Sequence, residues 1–74
     1  MAGKRITESD LKIILAYADC NMNAAQTAKV TYYRKESIYD HLDKIYLLTG
    51  LNPRKFYDLV KLVKRVKEGK LVAT

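Results

Sequence analysis

The chain has 74 residues, 49% apolar and 30% charged, with 14 Lys and Arg against 8 Asp and Glu and a formal net charge of +6. That composition fits one small globular domain over residues 1–74, near the lower limit of what buries a sufficient core without disulfides or metals, so a partner subunit that adds buried area is expected. It excludes a disordered chain, a membrane span of about 18 apolar residues and, because Cys20 stands alone, an intrachain disulfide.

One Cys and one His, Cys20 and His41, cannot assemble a four-ligand zinc site by themselves. No metal or cofactor is therefore expected, and Cys20 reads as a small semi-buried thiol. The N-terminal stretch MAGKRITESD lacks the apolar run of a signal peptide, which fits a reducing cytoplasm. The charge is unevenly placed: residues 1–20 hold three cations and three anions, residues 21–46 four and three, and residues 47–74 seven and two, giving 0, +1 and +5. So basic a small protein suggests a polyanionic partner, DNA or RNA ahead of a membrane surface.

The periodicity predicts four helices in an all-α domain. Thr7 or Ser9 can cap the first, Glu8 and Asp10 suit its first turn, and Leu11, Ile14, Leu15 and Ala18 recur at i, i+3, i+4, i+7. It is predicted over about Ser9 to Asp19, and Ile13 and Tyr17 widen its apolar arc enough to touch more than one neighbour. The polar CNMN ends it. Asn23 is the expected N-cap of a short second helix, AAQTAKVT, whose small side chains let another helix approach closely.

Tyr32 and Tyr33 mark a turn, and a third helix is predicted from Lys35 to Leu48 with Ile38, Leu42 and Ile45 on one stripe. Gly50 sits where a left-handed C′ residue belongs, and Leu51 is expected to pack back on Tyr46 in a Schellman motif. Asn52 and Pro53 then read as N-cap and first residue of the fourth helix. That helix, PRKFYDLVKLVKRVKEGK, places Phe56, Leu59, Val60, Leu62, Val63 and Val66 over an arc of roughly 160°, wider than the ~100° that faces one core. Arg54, Lys61, Lys64 and Arg65 fall on its other side, as a solvated face or as phosphate contacts.

The middle of the chain has the spacing of a helix-turn-helix. Such a motif needs a small residue where its two helices cross, a residue anchoring the turn, and an apolar stripe that leaves the exposed N-terminal side chains of the second helix free to reach base edges. Ala28, Tyr33, Ile38 and Leu42 supply these without a gap. The stretch NAAQTAKVTYYRKESIYDHLDKIYLLTGLNP, Asn23 to Pro53, resembles the C-terminal helix-turn-helix domain of the PucR family of bacterial regulators, itself related to the Fis type. The resemblance is carried by Asn23, Ala28, Arg34 to Tyr39, Leu42, Lys44, Ile45 and the close from Leu48 to Leu51.

The resemblance implies a transcription-regulator module that dimerises on double-stranded DNA with its third helix in the major groove. In that family the domain follows a sensory region; with nothing before it here, no small-molecule ligand is expected. The chain departs from the family pattern in several places. Thr31 stands for an aliphatic residue, and Tyr32 occupies a place where many helix-turn-helix proteins have Gly. A non-Gly residue at positive φ would be strained there, so the turn is expected to differ locally. Glu36 and Asp40 take groove-facing positions usually held by Asn and by Tyr or Arg, and His41 replaces a frequent Arg.

The candidate DNA-binding residues are Asn23, Lys29, Arg34, Lys35, Glu36, Ser37, Tyr39, Asp40 and Lys44. Arg34 and Lys35 would meet phosphate or guanine, Ser37 and Tyr39 phosphate or base edges, and Asn23 with the start of the second helix would seat the backbone. Glu36 and Asp40 would filter bases, since a carboxylate can accept from cytosine N4. Part of their acidity has a helical explanation, the macrodipole for Glu36 and an i, i+4 pair with Lys44 for Asp40. Ser37 and His41 beside Asp40 and Asp43 offer no concave pocket, so no catalytic residue is expected.

Two other readings compete with DNA binding. A protein-interaction module could keep the scaffold and associate through helices one and four. A basic helix four could lie on anionic membrane, but it has no Trp, and its apolar face is needed for the core.

Overall fold

The computed structural model describes residues 5–73, so the ends of the expected 1–74 span, including the MAGK of the N-terminal reading, lie outside the described residues. Four helices follow in order: α1 Glu8–Asp19, α2 Ala24–Thr31, α3 Lys35–Thr49 and α4 Phe56–Lys67, with no strand among the described residues. The all-α helix-turn-helix architecture expected from the periodicity is thus present. α1 lies at the centre and packs on each of the other three helices, while α2 packs on α3 and α4 rests on α1 alone among the described helices.

Each boundary has a local cause. Thr7 caps α1 in a reciprocal box: its hydroxyl accepts the Asp10 N–H at 3.3 Å, and Asp10 Oδ2 accepts the Thr7 N–H at 2.8 Å. The CNMN stretch closes the helix by a Schellman motif with Asn21 at C′, φ 56°; the Met22 N–H reaches the Tyr17 carbonyl at 2.8 Å and the Asn21 N–H that of Ala18 at 3.2 Å. Asn23 then caps α2, its Oδ1 accepting the Gln26 N–H at 3.0 Å.

The core is built from Ile6, Ile13, Ile14, Tyr17, Ala24, Ile38, Leu42, Ile45, Leu59 and Leu62, with Tyr33, Ala28 and Leu51 packed against its edge. The stripe predicted for α1 is displaced by one position. Its buried line is Asp10, Ile13, Ile14 and Tyr17, whereas Leu15 is 37% exposed. Because the line begins with a carboxylate, apolar spacing alone could not find it. α2 buries Thr27 and Thr31, whose hydroxyls return to the carbonyls of Asn23 and Thr27 at 2.7 Å each, so the interior threonine in the aliphatic position leaves no polar atom unpaired.

Two expected caps differ from the observed ones. At Gly50, φ 76°, a single bond from its N–H to the Tyr46 carbonyl closes α3, and the Leu51 N–H turns instead to Thr49 Oγ1 at 3.1 Å. That is the αL motif, and Leu51 packs on the core while Tyr46 stays half exposed. Asn52 and Pro53 do not start α4. Asn52 Oδ1 accepts the Arg54 N–H and its carbonyl accepts the Lys55 N–H, forming a separate turn around the buried Pro53. α4 begins three residues later, and Asp58 in its first turn ties back to the Asn52 N–H at 3.0 Å. Arg54 consequently leaves the polar face of α4.

The helix-turn-helix turn keeps the left-handed geometry usually given to glycine rather than avoiding it: Tyr32 has φ 62° and ψ 22°. For a residue with a Cβ this conformation costs about 1–2 kcal/mol. Tyr32→Gly should relieve that strain against a larger unfolded-state entropy and leave stability unchanged or raised by up to about 1 kcal/mol. At Gly50 an added Cβ would meet no atom within 4 Å, so Gly50→Ala isolates the cost of positive φ and should lose about 1 kcal/mol. Thermal unfolding followed by circular dichroism reads both, at about 4–8 °C per kcal/mol for a domain of this size. A lower midpoint for Tyr32→Gly would contradict strain at the turn.

Candidate nucleic-acid interface

The second motif helix, α3, is set in place by one buried group on α1. Asp10 is fully buried, and its Oδ1 accepts from His41 Nδ1 at 2.6 Å while its Oδ2 meets Lys44 Nζ at 2.7 Å, the Thr7 N–H at 2.8 Å and the Thr7 hydroxyl at 3.1 Å. A carboxylate only accepts, so His41 carries its proton on Nδ1. Tyr33 covers the cluster from the turn, its ring stacked on His41 at 5.8 Å and its hydroxyl donating to Ser9 Oγ at 3.1 Å. Burial pushes the Asp10 carboxyl up, but hydrogen bonds from His41, Lys44 and Thr7 outweigh it and hold the group below its ordinary value.

Lys44 is therefore paired with Asp10, not with Asp40 as its i, i+4 spacing suggested, and its side chain is 20% exposed. His41 is half-buried, as its place beside Ile38 and Leu42 indicates. Asp10 was legible in the sequence only as a first-turn acid. The signal that could have located its partners is the pair His41 and Lys44, i and i+3 on α3, which points one side of that helix toward a single acceptor.

The other flank of α3 is closed by Arg54. Its guanidinium lies 5.0 Å from the centre of the Tyr39 ring and 3.2 Å from Asp43 Oδ1. The pair is exposed on both sides and stabilises little, but the cation over the ring limits where Tyr39 can turn. Tyr17 sits beneath: burial pushes its phenol up, the nearby Arg54 charge opposes this, and Tyr39 adds a smaller push upward.

What α3 presents outward is the line Glu36, Asp40, Asp43 and Leu47, all exposed, at i, i+4, i+7 and i+11 from its first turn. Arg34 and Lys35 are exposed where the helix starts, and no side chain caps that start. Ser37 is half-buried on the His41 side, and Tyr39 is 37% exposed. Asn23, the N-cap of α2, and Lys29 on its last turn are exposed, although Asn23 Oδ1 is engaged in accepting the Gln26 N–H of the cap. The structure thus gathers Arg34, Lys35, Glu36 and Ser37 at one end of α3, sets Glu36 and Asp40 on its outward face, and leaves Lys44 turned inward.

A second surface lies on α4. Leu59 and Leu62 enter the core, while Phe56, Tyr57 and Val60 stay exposed. Phe56, Leu59, Val60 and Val63 line an open cleft of about 390 Å³ against Ala18 and Met22 at the end of α1. No helix among the described residues is long and apolar enough to cross a membrane, and no metal-holding group of His, Cys, Asp and Glu occurs among them.

Residues 11–64 match the PucR C-terminal helix-turn-helix domain, a span that runs from the first turn of α1 through most of α4. The chain belongs to that family of helix-turn-helix domains. No curated protein and no solved structure matches it.

Removing the Asp10 charge while keeping its shape tests the cluster. Breaking a buried ion pair from one side costs about 3–5 kcal/mol, somewhat less here because Lys44 keeps contact with solvent. Asp10→Asn should therefore remove a large share of a stability that for a chain this size is roughly 4–11 kcal/mol. Since the folded carboxyl lies below its ordinary 3.8, its contribution is present above that value and is lost as pH falls through the lower, folded one. Urea titrations across this acid range should show stability falling steeply for the natural chain and more gently for Asp10→Asn; parallel curves would contradict the role assigned to Asp10.

Proposed function

We propose that this chain is a small sequence-preferring DNA-binding regulator that acts as a homodimer in the cytoplasm and places the N-terminal half of α3 in the major groove. The observation that carries the reading is the exposed, uncapped start of α3 with Arg34 and Lys35, set on the scaffold of a regulator family's helix-turn-helix. Duplex affinity comes mainly from neutralised phosphates, and base choice from groove contacts. Arg34 and Lys35 serve the first purpose or bind guanine, Lys29 and the amides opening α2 beside Asn23 seat the backbone, and Ser37 and Tyr39 reach phosphate or base edges.

Glu36 and Asp40 set the bases. Each is exposed, and the lysine that spacing offered to Asp40 is held by Asp10 instead. Near a phosphate at ~4 Å a carboxylate costs about 1 kcal/mol in water-like surroundings, which the cations at the helix start and on α4 offset. Within the groove it accepts from cytosine N4 and is repelled by the acceptors of guanine and thymine. In this reading Lys44 steadies α3 from behind and does not touch the duplex. The exposed apolar part of α4, with the cleft beside it, supports association of two copies.

The same apolar surface favours a second reading, a protein-interaction module that keeps the fold without groove contacts. Fluorescence anisotropy with random and selected duplexes at ~50 mM salt separates the two, because counterion release favours binding there. The natural chain should bind, and Arg34→Ala with Lys35→Ala should weaken binding and make the salt dependence shallower by roughly two in the log–log slope. Absence of binding at low salt would remove the DNA reading, and a partner complex that survives the double substitution would support the alternative.

A further inference from the structure

Tyr32 shares a positive φ with Asn21 and Met22, but unlike Met22, which packs against the core, it turns its side chain to solvent. It holds a left-handed backbone at the turn between the motif helices, and its side chain is 93% exposed. A bulky residue in such a conformation is uncommon, and backbone strain of this kind clusters at functional sites. The ring contributes next to nothing to the core. Glycine would fit the same backbone without strain.

Its surroundings indicate what it faces. Tyr32 lies between exposed Lys29 on the last turn of α2 and exposed Arg34 and Lys35 at the start of α3. Three residues of chain reach at most about 10 Å, so the Tyr32 Cα lies within that distance of those of Lys29 and Lys35, inside a cationic rim. That rim suits an anion with several acceptor oxygens. A phenol supplies one uncharged donor and a flat apolar body, which complements a sugar and its phosphate more closely than it does a base edge.

We infer that Tyr32 is a backbone contact of the DNA interface, donating its hydroxyl to a phosphodiester oxygen beside the groove that α3 enters. The inference rests on the DNA-binding reading above. It adds an aromatic contact to that of Tyr39, whose ring carries the Arg54 guanidinium at 5.0 Å from its centre. Tyr32 adds no charge, so it strengthens binding without releasing a counterion.

The test measures duplex affinity by anisotropy at several salt concentrations and thermal stability by circular dichroism, for the natural chain, Tyr32→Phe and Tyr32→Gly. Loss of one hydroxyl-to-phosphate bond should weaken binding about 5- to 10-fold in Tyr32→Phe, with unfolding temperature and salt slope unchanged. Tyr32→Gly should bind at least as weakly while its unfolding temperature stays level or rises, so affinity and stability move independently or in opposite senses. If the natural chain binds duplex and Tyr32→Phe binds equally well, the assignment of Tyr32 is overturned and the DNA reading stands. If the natural chain binds no duplex at low salt, the DNA reading itself fails, and the assignment with it.

Discussion

The buried Asp10 carboxylate is the constraint on which the rest of the molecule depends. It closes the capping box of α1, then spends its remaining acceptor positions on His41 and Lys44 of α3, so that the start of one helix and the middle of another share one charge. A carboxylate with no exposure is tolerable only with that many donors around it, and no buried side-chain polar atom among the described residues lacks a partner. The stripe of Ile38, Leu42 and Ile45 turns one side of α3 to the core, but apolar contacts are not directional. Two directed bonds from one carboxylate select one rotation, and with it the face that points outward.

That selection sorts the charges of α3. Lys44 and His41 are drawn inward to Asp10, and Asp43 is met by Arg54 from the turn before α4. The outward line keeps Glu36 and Asp40, while Arg34 and Lys35 gather at the helix start. A helix that looks acidic in sequence is therefore polarised in space, cationic at its tip and anionic along its face. In the proposed DNA-binding reading, such a distribution makes grip and discrimination separate tasks, phosphates being assigned to the rim and bases to the acceptor-only groups.

Much of the fold was legible because its determinants are local. Asn23 caps the helix it was expected to cap, α2 has the predicted bounds, Ile38, Leu42 and Ile45 form the buried stripe of α3, and Gly50 turns left-handed where that helix ends. What escaped was non-local or polar. The buried stripe of α1 opens with an acid, so hydrophobic periodicity placed it one residue away, on Leu11 and Leu15. The i, i+4 rule assigned Lys44 to Asp40 because no local rule could know that a stronger acceptor from α1 stands nearby. Asn52 and Pro53 carried every sign of a helix start, but a buried proline ring and the Asp58 carboxylate made them a turn of their own. The helices that carry the candidate residues were legible, yet Arg54 over Tyr39, the inward turn of Lys44 and the exposure of Tyr32 depend on tertiary placement.

The central claim is that the outward face of α3, held in rotation by Asp10, is the surface that meets duplex DNA. The most direct measurement is a two-dimensional amide spectrum of isotopically labelled protein, recorded while a duplex is added in dilute buffer. Shifts should concentrate on the amides from Tyr32 to Asp40 and at the start of α2, and leave the cleft between α1 and α4 quiet except where a dimer forms. An unmoved α3 beside shifts confined to the basic face of α4 would contradict the claim, since the chain would then hold nucleic acid by charge alone.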